Sequence, residues 1–220
     1  MDKQIYLEKL PYYEHLTDGQ KEKILKFWTK KSYKKGQFIH GHTEECLGQI
    51  FMIKGEARTF VLSEDGREIT LFKLNPFDVC VLSASCVISQ ITFETAIVAE
   101  TDCEMYVLNS GVFSEIANEN IFVKCYMYEL LTSRFSSVMF TMQEIIFKGV
   151  DKRLASFLIS ESEKTSTHEI KMTHEQIAKN INSAREVVAR MLKRFSNDGL
   201  VELKRGTITI KDKQKLGNMK

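Results

Sequence analysis

The stretch Thr173-His-Glu-Gln-Ile-Ala-Lys-Asn-Ile-Asn-Ser-Ala-Arg-Glu-Val-Val-Ala-Arg-Met-Leu-Lys-Arg-Phe-Ser-Asn-Asp198 holds two helix-start signals only ten residues apart. Thr173-x-x-Gln176 has the form of a capping box, in which the threonine oxygen and the glutamine side chain satisfy N–H groups that a helix start leaves open. Ser183-x-x-Glu186 repeats the signal. Ile177, Ala178 and Ile181 fall three to four residues apart, so the first helix is expected to bury one narrow stripe. The second is expected from Ala184 to about Asn197, ending before Gly199, the residue type that most readily turns the chain out of a helix. Two short helices this close read as a helix-turn-helix.

On the second helix, Val188, Met191, Leu192 and Phe195 stand at i, i+3, i+4 and i+7 and predict a face packed on the first helix. The opposite face carries Arg185, Glu186, Ala189 and Arg190. Such a face is often no more than solvated surface with a helical ion pair. Its place near the helix start also suits a recognition helix, where arginine can pair with guanine in the major groove and glutamate can accept from cytosine. Downstream, Leu200-Val-Glu-Leu203 and Thr207-Ile-Thr-Ile210 alternate in strand fashion around Lys204-Arg205-Gly206, predicting a wing hairpin with a basic tip. Candidate base-reading residues are therefore Arg185, Glu186 and Arg190. Candidate backbone-holding residues are Thr173, Ser183, Lys193, Lys204 and Arg205.

The charge distribution agrees. From His168 to Lys220 there are 12 Lys and Arg against 6 Asp and Glu, a balance of +6, while residues 1–167 carry 19 against 23, a balance of −4. Only the C-terminal third is expected to meet phosphate.

The run Met172 to Phe195, with Arg185-Glu186 followed by Arg190, resembles the winged helix-turn-helix of the bacterial cyclic-AMP receptor protein and fumarate-nitrate regulator (Crp/Fnr) family. That resemblance implies a transcription regulator that binds double-stranded DNA as a homodimer, with RNA polymerase as a further partner. It also implies that Arg185, Glu186 and Arg190 read a GTGA-like half-site. Ala184 stands where the cyclic-AMP branch has serine, which removes one expected phosphate contact.

Working back along the chain, Thr17 to Lys31 is expected to be one amphipathic helix, with Thr17-x-x-Gln20 as its cap. Lys34 to Val107 changes character. Short runs of Ile, Phe, Val and Thr are punctuated by Gly36, Gly41, Gly48, Gly55 and Gly66, the last in the turn sequence Glu64-Asp65-Gly66, and such spacing predicts an all-β barrel or jelly roll. Lys35-Gly36, Ile50 to Gly55 and Gly66 to Asp78 are similar to the same family's effector β-roll, so the resemblance spans nearly the whole chain.

Within that β-roll the residues differ from those of the cyclic-nucleotide binders. Where they place a Gly-Glu pair for ribose and an Arg-Ser pair for phosphate, this chain aligns as Val81-Leu82 and Phe93-Glu94. A cyclic phosphate would lose its counter-charge and meet Glu94 instead. The positions matching the adenine contacts read Val138-Met139. Cyclic AMP is therefore not expected as effector. A remaining pocket would be apolar, with Cys80, Leu82, Cys86, Phe93, Phe135 and Met139 as candidate lining, and the identity of any small-molecule effector stays open.

Five cysteines, Cys46, Cys80, Cys86, Cys103 and Cys125, form no Cys-x-x-Cys pair, and none precedes Cys46, so the family's N-terminal iron–sulfur cluster is not expected. Buried structural thiols are the ordinary reading. Cys80 and Cys86 lie close enough in sequence to raise a thiol switch as an alternative signal. His40-Gly-His42 with Glu44 and Glu45 has the residue types of a cupin metal site. It lacks both the spacing and the later histidine, so turn histidines are expected, and neither metal nor cofactor.

From Asn118 to Phe147 the pattern is helical and long. Tyr128, Leu131, Phe135, Val138, Met142 and Ile145 alternate spacings of three and four and predict a coiled-coil seam against a second copy. Phe147-Lys-Gly149 breaks the pattern, a further amphipathic helix is expected over Asp151 to Ser162, and Ser160 to His168 reads as a linker. The tail from Lys211 is expected to fray. No apolar run reaches the roughly 20 residues that span a bilayer, and residues 1–4 are polar, so a cytoplasmic protein without a membrane partner is expected.

The expected architecture is α+β. A double-stranded β-helix (jelly roll) of the cyclic-nucleotide-binding kind, with flanking helices, covers 1–117. A dimerisation helix covers 118–148, and a winged helix-turn-helix covers 149–220. The expected function is sequence-specific transcription regulation without catalysis. Its alternatives are a cupin-like metalloenzyme and a β-roll sensor whose C-terminal domain binds protein.

Overall fold

The computed structural model describes residues 2–41, 47–63, 66, 68–81 and 95–219. The chain divides into two compact units, one of Met1–Leu62 with Leu71–Val138 and the other of Ser63–Thr70 with Met139–Lys220.

The first unit opens with α1 (Asp2–Leu7), a short 3-10 turn and α2 (Asp18–Phe27). Thr17 and Gln20 cap α2 reciprocally, as their spacing predicts. The helix stops at Phe27, four residues short of the expected Lys31. Trp28 instead begins β1 (Trp28–Tyr33), followed by β2 (Phe38–His40), β3 (Gln49–Lys54), β4 (Ala57–Leu62), β5 (Glu68–Leu74), β6 (Val79–Cys80), β7 (Ala96–Ala99) and β8 (Cys103–Leu108). The reason for the early stop lies far along the chain. Trp28 pairs with Leu108 at the start of an unbroken antiparallel ladder, and its ring stacks on Tyr106 at 4.5 Å, which outweighs the local helical period.

Among the described residues two four-stranded sheets, ordered β1-β8-β3-β6 and β2-β7-β4-β5, form the expected β-roll. Alternation along the strands builds two apolar layers. Ile50 and Met52 of β3, with Met105 and Val107 of β8, join Leu74, Cys80 and Ile97 in the core between the sheets. Phe51, Tyr106 and Leu108 face the other way and meet Leu7, Tyr12, Leu16, Ile24 and Phe113 under the helices. Gly55 (φ 89°) is required where β3 turns into β4, because an added Cβ would strike the Asp102 carbonyl. The turn residues Glu64 and Asp65 lie outside the described residues.

After β8, α3 (Ser110–Glu119) precedes the long α4 (Ile121–Phe147). The long helix expected from Asn118 thus begins at Ile121, and residue 118 belongs to the last turn of α3. Asn120 makes the break. Its Oδ1 accepts from the Phe122 N–H at 3.0 Å, while its Nδ2 donates to the His15 carbonyl at 2.8 Å and to Gln20 at 2.9 Å.

The second unit contains α5 (Val150–Thr165), β9 (Glu169–Ile170), α6 (His174–Asn180), α7 (Arg185–Asn197), β10 (Val201–Lys204), β11 (Thr207–Ile210) and α8 (Lys213–Gly217). Two expectations are corrected here. Much of the supposed linker from Ser160 is helix, because Ser162 is still turned to the core and α5 ends only at Ser166, in the left-handed region. The tail is also ordered. Asp212 caps α8, and Leu216 is fully buried beside Leu154, Leu158, Ile177, Val188, Leu192 and Phe195.

Candidate nucleic-acid interface

α6 starts as its sequence demands. Thr173 Oγ1 accepts from the Gln176 N–H at 3.2 Å, and Gln176 Oε1 accepts from the Thr173 N–H at 2.8 Å. The second cap does not form. The N-cap of α7 is Ala184, with no side-chain cap bond, one residue later than Ser183. The cause is the turn: Asn182 takes the left-handed conformation (φ 51°), and the Ser183 N–H returns to the Ala178 carbonyl at 2.9 Å. Within the same unit Thr70 braces this turn, giving its N–H to Asn182 Oδ1 at 2.8 Å and its hydroxyl to the Lys179 carbonyl at 2.9 Å. Asn182 and Thr70 carry no sequence signal for this role beyond asparagine's tolerance of positive φ.

The shift has a consequence for chemistry. Glu186 is released from capping, and Arg185, Glu186 and Arg190 all stand exposed in the first two turns of α7. Among the described residues none of the three enters an ion pair or side-chain hydrogen bond, whereas Arg194, further along α7, lies 3.8 Å from Asp198. Val188, Leu192 and Phe195 are buried on the opposite side, as their spacing predicts. The exposed charged face is thus held by a packed face behind it.

The wing is the hairpin β10–β11, turned through Gly206 (φ 76°), with β9 as a third strand. Lys204 and Arg205 are exposed at its tip. Lys204 Nζ is 3.4 Å from Glu202, whose carboxyl is held below its usual range chiefly by Lys211 and then by Lys204. Between wing and helices lies a groove of 480 Å³, lined in part by Thr173, His174, Arg185, Lys204 and Gly206. Ser183 is half-exposed, and Thr173 and Lys193 are exposed. The Thr173 oxygen is already the α6 cap.

Of the other sequence candidates, Leu82, Cys86 and Phe93 lie outside the described residues, as do Cys46, His42, Glu44, Glu45 and Glu94. Cys80 is buried in β6, Cys103 is buried, and Cys125 is exposed. Phe135, placed on both the pocket and the seam, is 65% exposed, and Tyr128, Met139 and Met142 are exposed as well. Leu131 instead packs against both apolar layers of the first unit, and Val138 and Ile145 are half-buried. One residue the sequence reading passed over is Arg134. It lies over the Phe72 ring at 4.4 Å and reaches the Val79 carbonyl at 3.4 Å. No helix among the described residues is long and apolar enough to cross a membrane, and no three His, Cys, Asp or Glu gather as a metal site.

Comparison with known proteins agrees with this geometry. Residues 152–219 match the Crp-like helix-turn-helix domain, and residues 30–120 match the cyclic nucleotide-binding domain. A transcriptional regulator of the Crp/Fnr family from Eubacterium rectale, known by crystal structure, is 40% identical with a TM-score of 0.90. The match covers 96% of this chain and 98% of that one. The cAMP-activated global transcriptional regulator Vfr of Pseudomonas aeruginosa is 23% identical over 86% of this chain and 92% of its own. The cAMP-activated global transcriptional regulator CRP of Pasteurella multocida is 25% identical over 80% and 86%. With its β-roll, long helix and winged helix-turn-helix, this chain belongs to the Crp/Fnr family, whose members are DNA-binding transcription regulators and not enzymes.

Proposed function

We propose that the protein binds a palindromic operator as a homodimer, with Arg185, Glu186 and Arg190 reading base edges and Thr173, Ser183, Lys193, Lys204 and Arg205 holding the phosphate backbone. The observation that carries this reading is the freedom of the α7 start, where two arginines and a carboxylate stand exposed and unengaged on a rigidly packed helix. Charged groups left unspent at the start of a recognition helix are what major-groove readout requires. The Thr173 hydroxyl proton remains available to phosphate although its oxygen serves the α6 cap.

The second copy docks on α4. Tyr128, Phe135, Met139, Met142 and Ile146 project within about 60° of one another around a helix of 3.6 residues per turn, and all five are exposed. Such a stripe is normally covered. A two-fold along it would present two recognition helices, which must lie about 34 Å apart to enter successive major grooves. The β-roll carries control, through an effector other than cyclic AMP or through thiol chemistry at Cys80 and Cys86. Val81, at a position matching the nucleotide binders' glycine, is a buried apolar residue, and in sequence Glu94 aligns with a position of the binders' phosphate-holding Arg-Ser pair. The setting is the cytoplasm, with RNA polymerase as the onward partner.

Selection of bound duplexes from random DNA by the full-length protein tests the reading. A symmetric site with GTGA-like halves is the expected product. Recovery of duplexes with no shared sequence would overturn it.

A further inference from the structure

We propose that Arg134 on α4 is the anion-binding residue of an effector site in the first unit, taking the carboxylate of a small organic acid with an apolar body. This deepens the reading of the β-roll as the control domain and rests on it. The Arg134 Cζ lies over the Phe72 ring, 4.4 Å from its centroid, a cation–π contact that holds the guanidinium near this ring. Its Nη2 is 3.4 Å from the Val79 carbonyl, at the outer limit of a hydrogen bond, and its buried Nε has no hydrogen-bond partner. Among the described residues no carboxylate pairs with it. Nε and Nη2 form one edge of the guanidinium, whose two parallel N–H groups match the two oxygens of a carboxylate. That edge is therefore held in place and almost unused. A buried donor without an acceptor is destabilising, and it persists where something else supplies the acceptor.

The surroundings narrow the chemistry. Phe72 and Val79, which meet the guanidinium, are buried and apolar. Tyr126 is the polar neighbour, and burial raises its hydroxyl to about 12, so it stays an O–H donor at neutral pH. Asp78, which acts on the same hydroxyl, accepts from the Asn75 N–H at 2.8 Å within its own turn. One cation, one phenol and two apolar neighbours suit a single carboxylate on a hydrocarbon or aromatic body. A cyclic nucleotide would bring ribose hydroxyls and base nitrogens that these residues cannot satisfy.

The test uses the full-length protein with benzoate, phenylacetate and hexanoate as probes, and cyclic AMP and inorganic phosphate for comparison. Binding is followed by calorimetry and by the midpoint of thermal unfolding. At least one carboxylate should bind and raise the midpoint, and cyclic AMP and phosphate should not. Arg134→Gln should weaken that carboxylate by at least about 30-fold, the usual scale for removing one partner of a buried charge pair. Arg134→Lys, which keeps the charge and loses the fork, should also weaken it and serves if the glutamine variant does not fold. Failure of all three carboxylates at millimolar concentration overturns the proposal, as does unchanged binding by a folded Arg134 variant. Loss of dimer by Arg134→Gln without any probe, measured by ultracentrifugation, also overturns it, because the second copy would then be closing that edge. Carboxylate binding by a protein that selects no DNA sequence would leave this site standing and remove the reading of the chain as an operator-binding dimer.

Discussion

Arg153 donates from Nη1 to the carbonyl oxygen of Lys148 at 2.8 Å, closing the end of α4 from the first turn of α5. The same nitrogen reaches the carbonyls of Ile145 at 3.2 Å and Glu144 at 3.3 Å, and Nε reaches that of Ile181 at 3.1 Å. The last carbonyls of a helix have no partners within it and favour a cation. One side chain therefore ties the end of α4 to the turn that precedes α7. Arg153→Ala should lower the stability of the second unit by about 2 to 3 kcal/mol, the scale for charged hydrogen bonds lost with their acceptors left open. Urea denaturation checks this, and Arg153→Lys should recover only part because it cannot span several carbonyls. A loss below about 0.5 kcal/mol would mean that water replaces the guanidinium.

Arg190 and Lys204 should respond differently to truncation, since the proposed function gives base reading to one and phosphate neutralisation to the other. Arg190→Ala should cost about 1 to 3 kcal/mol on the selected operator and relax preference at one position of each half-site. Lys204→Ala should weaken all sequences alike and reduce the salt slope by about one unit per site. Binding isotherms on operator and random duplexes at several salt concentrations separate the two. Equal loss on both duplexes for Arg190→Ala would remove its assigned role.

These contrasts show which features a sequence can disclose. The boxes at Thr17 and Thr173 were legible because every group they use lies within four residues, and the buried stripe of α7 because helical spacing alone defines it. The α7 start was not, since its register depends on Asn182 in a left-handed turn braced by Thr70, far back in the chain. Trp28 continues a helical period and is nevertheless a strand residue, because its partners Leu108 and Tyr106 are distant. Arg134 and Arg153 look like ordinary surface charge until other elements bring Phe72, Val79 or open carbonyls to them. Leu216 alone, in a polar tail, was too small a signal for α8.

Ala184 caps α7 without a side-chain oxygen, so this helix start leaves a stabilising bond unmade. Ala184→Ser should raise stability by about 0.5 to 1 kcal/mol through a new bond to an open N–H of the first turn. Thermal unfolding without DNA is the measurement, so that any effect on the proposed DNA contacts stays out of the result. No change would show that the turn before α7 holds Ala184 outside capping geometry.

Phe135 is the most exposed member of the α4 stripe within the first unit's share of that helix, after which the stripe continues through Met142 and Ile146. Phe135→Glu would place two like charges close to the two-fold of the proposed dimer, where desolvation and repulsion add. Sedimentation should show a monomer with unchanged circular dichroism and operator binding weakened at least about tenfold. A dimer that survives the change would move the interface elsewhere.

Cys103 and Cys125 should differ sharply toward alkylating reagents. Burial raises the Cys103 thiol above its ordinary value, against weaker opposing hydrogen bonds, and its Sγ lies 3.2 Å from the carbonyls of both Glu56 and Thr101. Because the thiolate is the nucleophile, a raised value means less reagent uptake at any pH below it. The stability sign follows from the same shift. The protonated thiol is favoured in the fold, so its contribution is complete below the unfolded thiol's pKa and is lost as pH rises through the folded one. At pH 8, iodoacetamide followed by peptide mass spectrometry should label Cys125, which is exposed, and leave Cys103 unmodified until the chain is unfolded. Equal labelling of the two in the native protein would mean that the β3–β4 turn and β8 open far more often than a packed β-roll permits.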